Sequence, residues 1–358
     1  MVQVDLITGF LGAGKTTFLR RYVRYLVAQG HNVCILENDF GAVNVDAMLV
    51  QDLLGPNCDL ETISGGCDCD THQRRMRTKL IAMAMRGFDR VVVEPSGIFD
   101  VDEFFDVLRD DPLDRWYHIG NVIAVVDAML PETLSPQAEY VLASETANAG
   151  RVLVSRTQLA GQQQTAAAVA HLTRALEGCK CSRRFAPEEI ITKDWARLTD
   201  ADLAAIAACG CRQASCEKLH FDEHEAFSSL CFLEQHLTLQ QLQAAADHLF
   251  ADAACGHVLR VKGFAPDPQG TTGWLELNAT AAGRTLEPIP QGQDVLIVIG
   301  EKQKEKEKEV MNKTRQAPSA RHIIGMVVGV IIIAFGPFIQ FFDGHFAQKV
   351  LKYKQEKE

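Results

Sequence analysis

The sequence predicts an α/β fold, with a mostly parallel sheet wound with helices, a smaller α+β domain after it and a hydrophobic tail. Three observations predict it. Through the first half, short runs rich in Val, Ile and Leu alternate with stretches whose apolar residues recur at helical spacing. Beyond residue 217, strand-like runs dominate and Gly and Pro turns separate them. Near the end, 323–342 runs for twenty residues without a charge.

In chain order, buried strands are expected at 2–8, 32–37, 88–94, 121–127 and 151–155. Helices are expected at 15–29, 74–86, 102–109 and 165–176. Strand and helix in turn imply parallel pairing, because each crossover helix covers a sheet face. The first domain is read as 1–180. Residues 181–216 become Cys-, Arg- and Ala-rich and read as a linker. The second domain, 217–300, has strands expected at 227–232, 257–264, 272–277 and 294–299 and a helix at 239–250. A charged linker of alternating Glu and Lys, 301–322, leads to 323–342, which is long enough to cross a hydrocarbon core of roughly 30 Å. A basic tail, 343–358, follows.

A chain with 47% hydrophobic and 23% charged residues is neither disordered nor a disulfide-stapled scaffold. Of the net charge of −10, residues from 301 onward contribute +4 and the rest −14. An acidic body excludes nucleic acid as the main partner, since phosphate neutralisation needs clustered cations. Residues 1–10 offer neither a basic segment nor a small-residue cleavage site, so a cytoplasmic body is expected. Eleven cysteines are then read as metal ligands or buried thiols rather than bridges.

Gly9-Phe10-Leu11-Gly12-Ala13-Gly14-Lys15-Thr16 follows a predicted strand and opens a predicted helix. Glycines let successive amides curl toward phosphate oxygens, and the helix adds its positive end. Lys15 then reaches the β and γ phosphates, and the Thr16 hydroxyl ligates magnesium. That is the pattern of a P-loop nucleoside triphosphate hydrolase. Glu94-Pro95-Ser96-Gly97 ends another predicted strand. Glu94 is placed to hold the magnesium or orient the attacking water, and the Gly97 amide to sense the γ-phosphate. The bland alternatives are a glycine-rich surface turn and an acidic strand-to-loop turn.

Together these residues resemble the CobW-type GTPases, relatives of the nickel chaperones that serve urease and hydrogenase. The segment from Gly9 through Thr17 matches the family's P-loop. Glu37-Asn38-Asp39-Phe40-Gly41 looks like its switch segment, and Gly66-Cys67-Asp68-Cys69-Asp70 like its Cys-x-Cys-Cys metal motif. Arg260-Val261-Lys262-Gly263-Phe264 and Leu296-Ile297-Val298-Ile299-Gly300 resemble its C-terminal domain, so the resemblance covers residues 1 to about 300. It implies hydrolysis of GTP with Mg2+, coupled to delivery of zinc or cobalt to a client metalloprotein or cofactor-synthesis enzyme.

Two departures bear on the chemistry. Asp70 replaces the third cysteine, leaving Glu37, Cys67, Cys69 and Asp70 as a mixed sulfur and oxygen metal site. Where the family reads guanine with Asn-Lys-x-Asp, this chain has Ser155-Arg156-Thr157-Gln158. Gln158 offers one carbonyl acceptor and a competing donor in place of a carboxylate. Alternatives are an ATP-using relative and a membrane-tethered switch without metal cargo.

Cys179 with Cys181, and Cys209 with Cys211 and Cys216, repeat short spacings that read either as ligands or as ordinary thiols. His220 and His224 would share a helix face if that stretch is helical, a ligand-like geometry, and surface histidines are the alternative reading. Gly325 and Gly329 form a helix-pairing spacing in the span, which leaves a homo-oligomer open.

Overall fold

A computed structural model describes residues 1–39, 46–64, 69–97, 101–214, 216–217, 226–252, 255–270, 273–289 and 291–301. The chain divides into two compact units, Met1–Phe221 and Asp222–Glu358. Among the described residues no helix is long and apolar enough to cross a membrane, and 323–342 lies outside them.

The first unit holds a seven-stranded parallel sheet. Its strands are β1 Val2–Thr8, β2 Val33–Asp39, β3 Cys58–Ser64, β4 Arg90–Pro95, β5 Tyr117–Asp127, β6 Arg151–Ser155 and β7 Ile190–Ile191. They lie in the order β3-β2-β4-β1-β5-β6-β7. Helices α1 Lys15–Ala28, α2 Asp46–Leu49, α3 Cys69–Ala84, α4 Val101–Arg109, α5 Leu113–Trp116, α6 Pro136–Ala147, α7 Thr157–Gly178 and α8 Asp200–Ile206 connect or follow them. With β4 on one side of β1 and β5 on the other, the loop after β1 opens where the strand order reverses, the usual crevice for a ligand.

α1 forms because Phe18, Leu19, Tyr22, Val23 and Leu26 recur on one face, and all are buried against β1, β2 and β4. A polar hub lies beneath them. Asp5, fully buried, accepts hydrogen bonds from Gln3 at 2.8 Å, Tyr22 at 2.8 Å and Arg90 at 2.7 Å, and from the backbone and side chain of Asn121 at 2.9 Å each. These bonds tie β1, α1, β4 and β5 together. Burial, then the Asp5 charge, raises the Tyr22 hydroxyl well above the ordinary tyrosine value and keeps it a donor.

The stretch expected to link the domains is folded into the first. β7 pairs with β6, and Leu198, Leu203 and Ile206 join the apolar cluster around α1. Its sparse apolar residues come in short clusters, which hid them from a periodicity reading. β3 also escaped prediction because Asp59 and Glu61 interrupt its apolar run; at the sheet edge they pair with Lys79 and Arg86. α6, capped by Ser135 and begun with Pro136, is buried on nearly every side and so lacks an amphipathic period. The helix expected at 165–176 begins earlier, at Thr157, with a break at Gly161 (φ 71°, ψ 177°).

The second unit is a five-stranded antiparallel sheet in the order β11-β10-β9-β12-β8. The strands are β8 Phe227–Leu233, β9 His257–Pro266, β10 Trp274–Thr280, β11 Gly283–Ile289 and β12 Val295–Glu301. Helix α9, Leu239–Ala251, starts at a capping box between Thr238 and Gln241 and packs Leu242, Ala245, Ala246 and Leu249 onto the sheet. Gly263 makes room for this packing, since a Cβ there would stand 2.6 Å from a Leu242 methyl and displace that side chain.

Candidate functional site

Between β1 and α1 the backbone turns through Gly9 (φ 141°), Gly12 (φ 74°) and Gly14 (φ 101°), values that favour glycine. Sterics add to this at Gly9, where a Cβ would lie 2.3 Å from the Val125 carbonyl oxygen. The amide of Ala13 closes the turn on the Phe10 carbonyl at 3.1 Å. Gly14 precedes α1 in a left-handed conformation and provides no side-chain cap, which leaves first-turn amides for an anion. Lys15 is buried and donates to the Gly9 carbonyl at 2.8 Å, so its ammonium is held across the loop. The chain after β4 closes in at Gly97, whose added Cβ would meet Leu11 N at 2.8 Å and Lys15 Nζ at 3.0 Å.

Carboxylates line the strand ends. The Thr16 hydroxyl donates to Glu94 Oε1 at 2.8 Å, pairing two hard oxygen ligands of the kind magnesium takes. Glu37 on β2 is the register partner of Glu94 on β4, and both are buried. A third acid was missed from sequence. Glu145, at the end of α6, is 1% exposed, accepts the Gly9 amide at 2.6 Å, and its carbonyl accepts the Thr8 hydroxyl at 2.6 Å. The sequence offered little signal, since α6 carries a second carboxylate, Glu139, and nothing in their spacing separates the two.

On the other side of the loop, Ser155 ends β6, buried, and Arg156 (φ 55°) precedes α7. The Arg156 guanidinium donates to the Gly12 carbonyl at 3.2 Å and forms a close ion pair with Asp127. Burial raises the Asp127 carboxyl above its usual value, and Arg156 opposes that rise. Gln158 is exposed, and Thr17 is exposed on α1. Trp195, from the stretch read as a linker, sits edge-on to Phe18 at 5.5 Å and would touch a Cβ on Gly14 at 3.5 Å. The sequence singled out neither this tryptophan nor its approach to the loop.

Of the four expected metal ligands, Glu37 is placed beside Glu94. Cys67 lies outside the described residues, as do His220 and His224, and Cys69 and Asp70 are described only as backbone opening α3. Among the later thiols, Cys181 and Cys216 are within hydrogen-bond reach, and burial first, then that contact, pushes Cys216 up.

A loop of uncapped amides between a parallel strand and a helix, with a buried lysine and a Thr-Glu oxygen pair, defines a P-loop nucleotide-binding protein. Residues 3–182 match the CobW/HypB/UreG nucleotide-binding domain, and the chain belongs to that family. It is 31% identical over 173 residues to the zinc chaperone YjiA of Escherichia coli (strain K12), covering 46% of this chain and 52% of that one. Against the zinc chaperone YeiR of the same organism, identity is 30% over 131 residues, covering 36% and 39%. The zinc-regulated GTPase metalloprotein activator 1 of Schizosaccharomyces pombe matches at 26% over 164 residues, covering 44% and 39%. The chain thus spans about half the length of these relatives, or less. A solved structure, Zn(II)-bound YjiA GTPase from E. coli, aligns at 22% identity over 86% of this chain and 96% of that one, with a TM-score of 0.33. The fold described above rests on this chain's own strand order.

Proposed function

We propose that the chain is a GTP-hydrolysing metallochaperone that couples nucleotide state to zinc, or cobalt, handling for a client metalloprotein. The register of Glu37 against Glu94 is the observation that carries this reading. Glu94, with Thr16, would hold the magnesium of a bound nucleotide, while Glu37 would hold the cargo metal with Cys67, Cys69 and Asp70. Buried side by side on paired strands, the two acids share their surroundings. A shift of Glu94 on loss of the γ-phosphate is therefore felt by Glu37, and the cargo site changes affinity.

In this reading Gly9, Gly12, Ala13, Gly14 and Thr17 cradle phosphates with backbone and helix-end donors, and Lys15 moves from the Gly9 carbonyl to the β and γ oxygens. Gly97 reports the γ position, and Ser155, Arg156 and Gln158 border the base. Magnesium, which Thr16 and Glu94 would hold, would supply charge neutralisation for the phosphates. Glu94 orients the attacking water. An ATP-using relative is the second reading, favoured by Gln158 where a carboxylate reads guanine.

The test is turnover and affinity of GTP and ATP by the full chain with and without Zn(II), beside Cys67→Ser and Cys69→Ser. Zinc is expected to shift GTP affinity or rate at least about fivefold in the parent and in neither variant. Equal zinc responses in all three, or none in the parent, would remove the metal cargo and leave the nucleotide switch alone. The uncharged run 323–342 carries the further reading of a membrane tether with a cytoplasmic body. Retention of the full chain in a carbonate-washed membrane pellet, lost on deletion of 323–342, would support it; an unchanged distribution would end it.

A further inference from the structure

A second group of metal-ligating side chains stands in the second unit, and the proposed function uses none of them. His248 lies in the last turn of α9 and Asp252, four positions on, is its C-cap residue, and their side chains meet there. The helix stops there, with Asp252 leaving helical geometry (φ −91°, ψ 110°). The amide of Cys255 bonds back to the Asp252 carbonyl at 2.9 Å, which folds the thiol toward them. Gly256, at φ 77°, then releases the chain into β9.

The outcome is an imidazole nitrogen, a carboxylate oxygen and a thiol sulfur within 4.8 Å of one another. Cys255 is 5% exposed and packs into the apolar cluster under α9, while His248 and Asp252 are half-buried at its rim. An ordinary helix-end His-Asp pair accounts for two of these groups, with Nε2 and Oδ2 3.6 Å apart. It does not account for a sulfur brought back to them by a separate turn.

We propose that His248, Asp252 and Cys255 form a divalent transition-metal site of the Zn(II) or Co(II) class. Tetrahedral zinc with bonds of about 2.0 Å to nitrogen and oxygen and about 2.3 Å to sulfur places these ligand atoms roughly 3.3 to 3.5 Å apart. The three atoms therefore need only a small inward movement to reach that geometry. One sulfur, one nitrogen and one oxygen suit a borderline cation and disfavour magnesium and calcium, which take oxygen ligands alone. The fourth position is left to water or to an incoming ligand. The site is sealed by the core beneath and open at the rim, an arrangement suited to exchange.

The experiment uses the full chain carrying Cys67→Ser and Cys69→Ser, so that failure of the proposed cargo site does not affect the result. Co(II) is titrated and followed by thiolate-to-cobalt charge-transfer absorption and by bound stoichiometry, with His248→Ala and Cys255→Ser added singly to that background. Each added variant is expected to lose one equivalent of Co(II) and the associated band. His248→Ala removes a half-buried group and keeps the comparison valid should Cys255→Ser disturb the core. Excess Zn(II) should also raise the unfolding temperature of the background chain but not of the His248→Ala chain. Equal stoichiometry and spectra with and without His248→Ala would overturn the proposal.

Discussion

Arg156 spans from the start of α7 to Gly12, donating to its carbonyl at 3.2 Å while pairing with the buried Asp127. One guanidinium thus holds the phosphate loop and neutralises an acid behind it. Removing it by Arg156→Ala strands Asp127 and should cost about 3 kcal/mol at neutral pH, by the rule for half-broken buried pairs. The sign with pH follows from the raised Asp127 pKa. A carboxyl raised by burial costs folding free energy only where it is ionised, so the deficit is full above the variant's folded pKa. As pH falls through the folded values of variant and then parent, the deficit should shrink toward the remaining packing loss. Urea unfolding of both chains across that range checks it; a deficit independent of pH would refute the pairing argument.

Asp5 should be the most costly single carboxylate in the first unit. Asp5→Ala leaves the Arg90 guanidinium, the Tyr22 hydroxyl and both Asn121 donors without their acceptor. The expected loss is about 3 to 5 kcal/mol. Asp5→Asn, which keeps one acceptor oxygen, should fall between that and the parent. If Asp5→Ala unfolds at the parental urea midpoint, the hub is not structural.

What was legible and what was not divides along the chain's own geometry. The loop from Gly9 to Thr16 could be read directly because its parts are consecutive and its glycines answer to local φ requirements and a close backbone approach. Glu94 could be read because an acid at a strand end is a local feature. Glu145 and Trp195 reach the same loop from 136 and 181 residues away from Gly9 and Gly14, and no period or spacing announces such an arrival. β3 was missed because an edge strand tolerates charges that break the apolar run.

Glu145 accepts the Gly9 amide at 2.6 Å, and this bond ties α6 to the phosphate loop. Glu145→Leu would leave that amide buried without its acceptor, costing about 1 to 3 kcal/mol and loosening the first turn of the phosphate loop. Nucleotide affinity should fall about tenfold or more. Glu145→Gln retains a carbonyl oxygen at the same reach and should stay within about threefold of the parent. Fluorescent-nucleotide binding distinguishes them, and equal affinities for the Leu and Gln variants would show that the bond is dispensable.

Asp202 supplies a second pH-dependent feature. Lys193 beside it, then the Thr199 amide and hydroxyl, hold its carboxyl down to about 2. A depressed folded pKa means stability present above the unfolded value of about 3.9 and lost as pH falls toward the folded one. The difference in urea midpoint between parent and Asp202→Ala should therefore be constant above about pH 5 and close as the pH approaches 2. A gap that persists there would place the effect of Asp202 in packing rather than charge.

In the proposed reading base choice turns on Gln158, which is exposed, so changing it should leave the fold intact. Guanine presents two adjacent N–H donors to whatever reads its edge. A carboxylate accepts both, whereas Gln158 offers one carbonyl and turns a competing amide donor toward the second. A site that leaves a donor unmatched discriminates weakly, while a matched one rejects the wrong base through unpaired groups. Gln158→Asp should therefore raise the GTP-over-ATP ratio of kcat/KM by about tenfold or more, mainly through KM, with turnover at saturation near parental because Lys15, Thr16 and Glu94 are untouched. Steady-state hydrolysis of both nucleotides by the two chains measures this. An unchanged ratio would mean that groups other than Gln158 read the base.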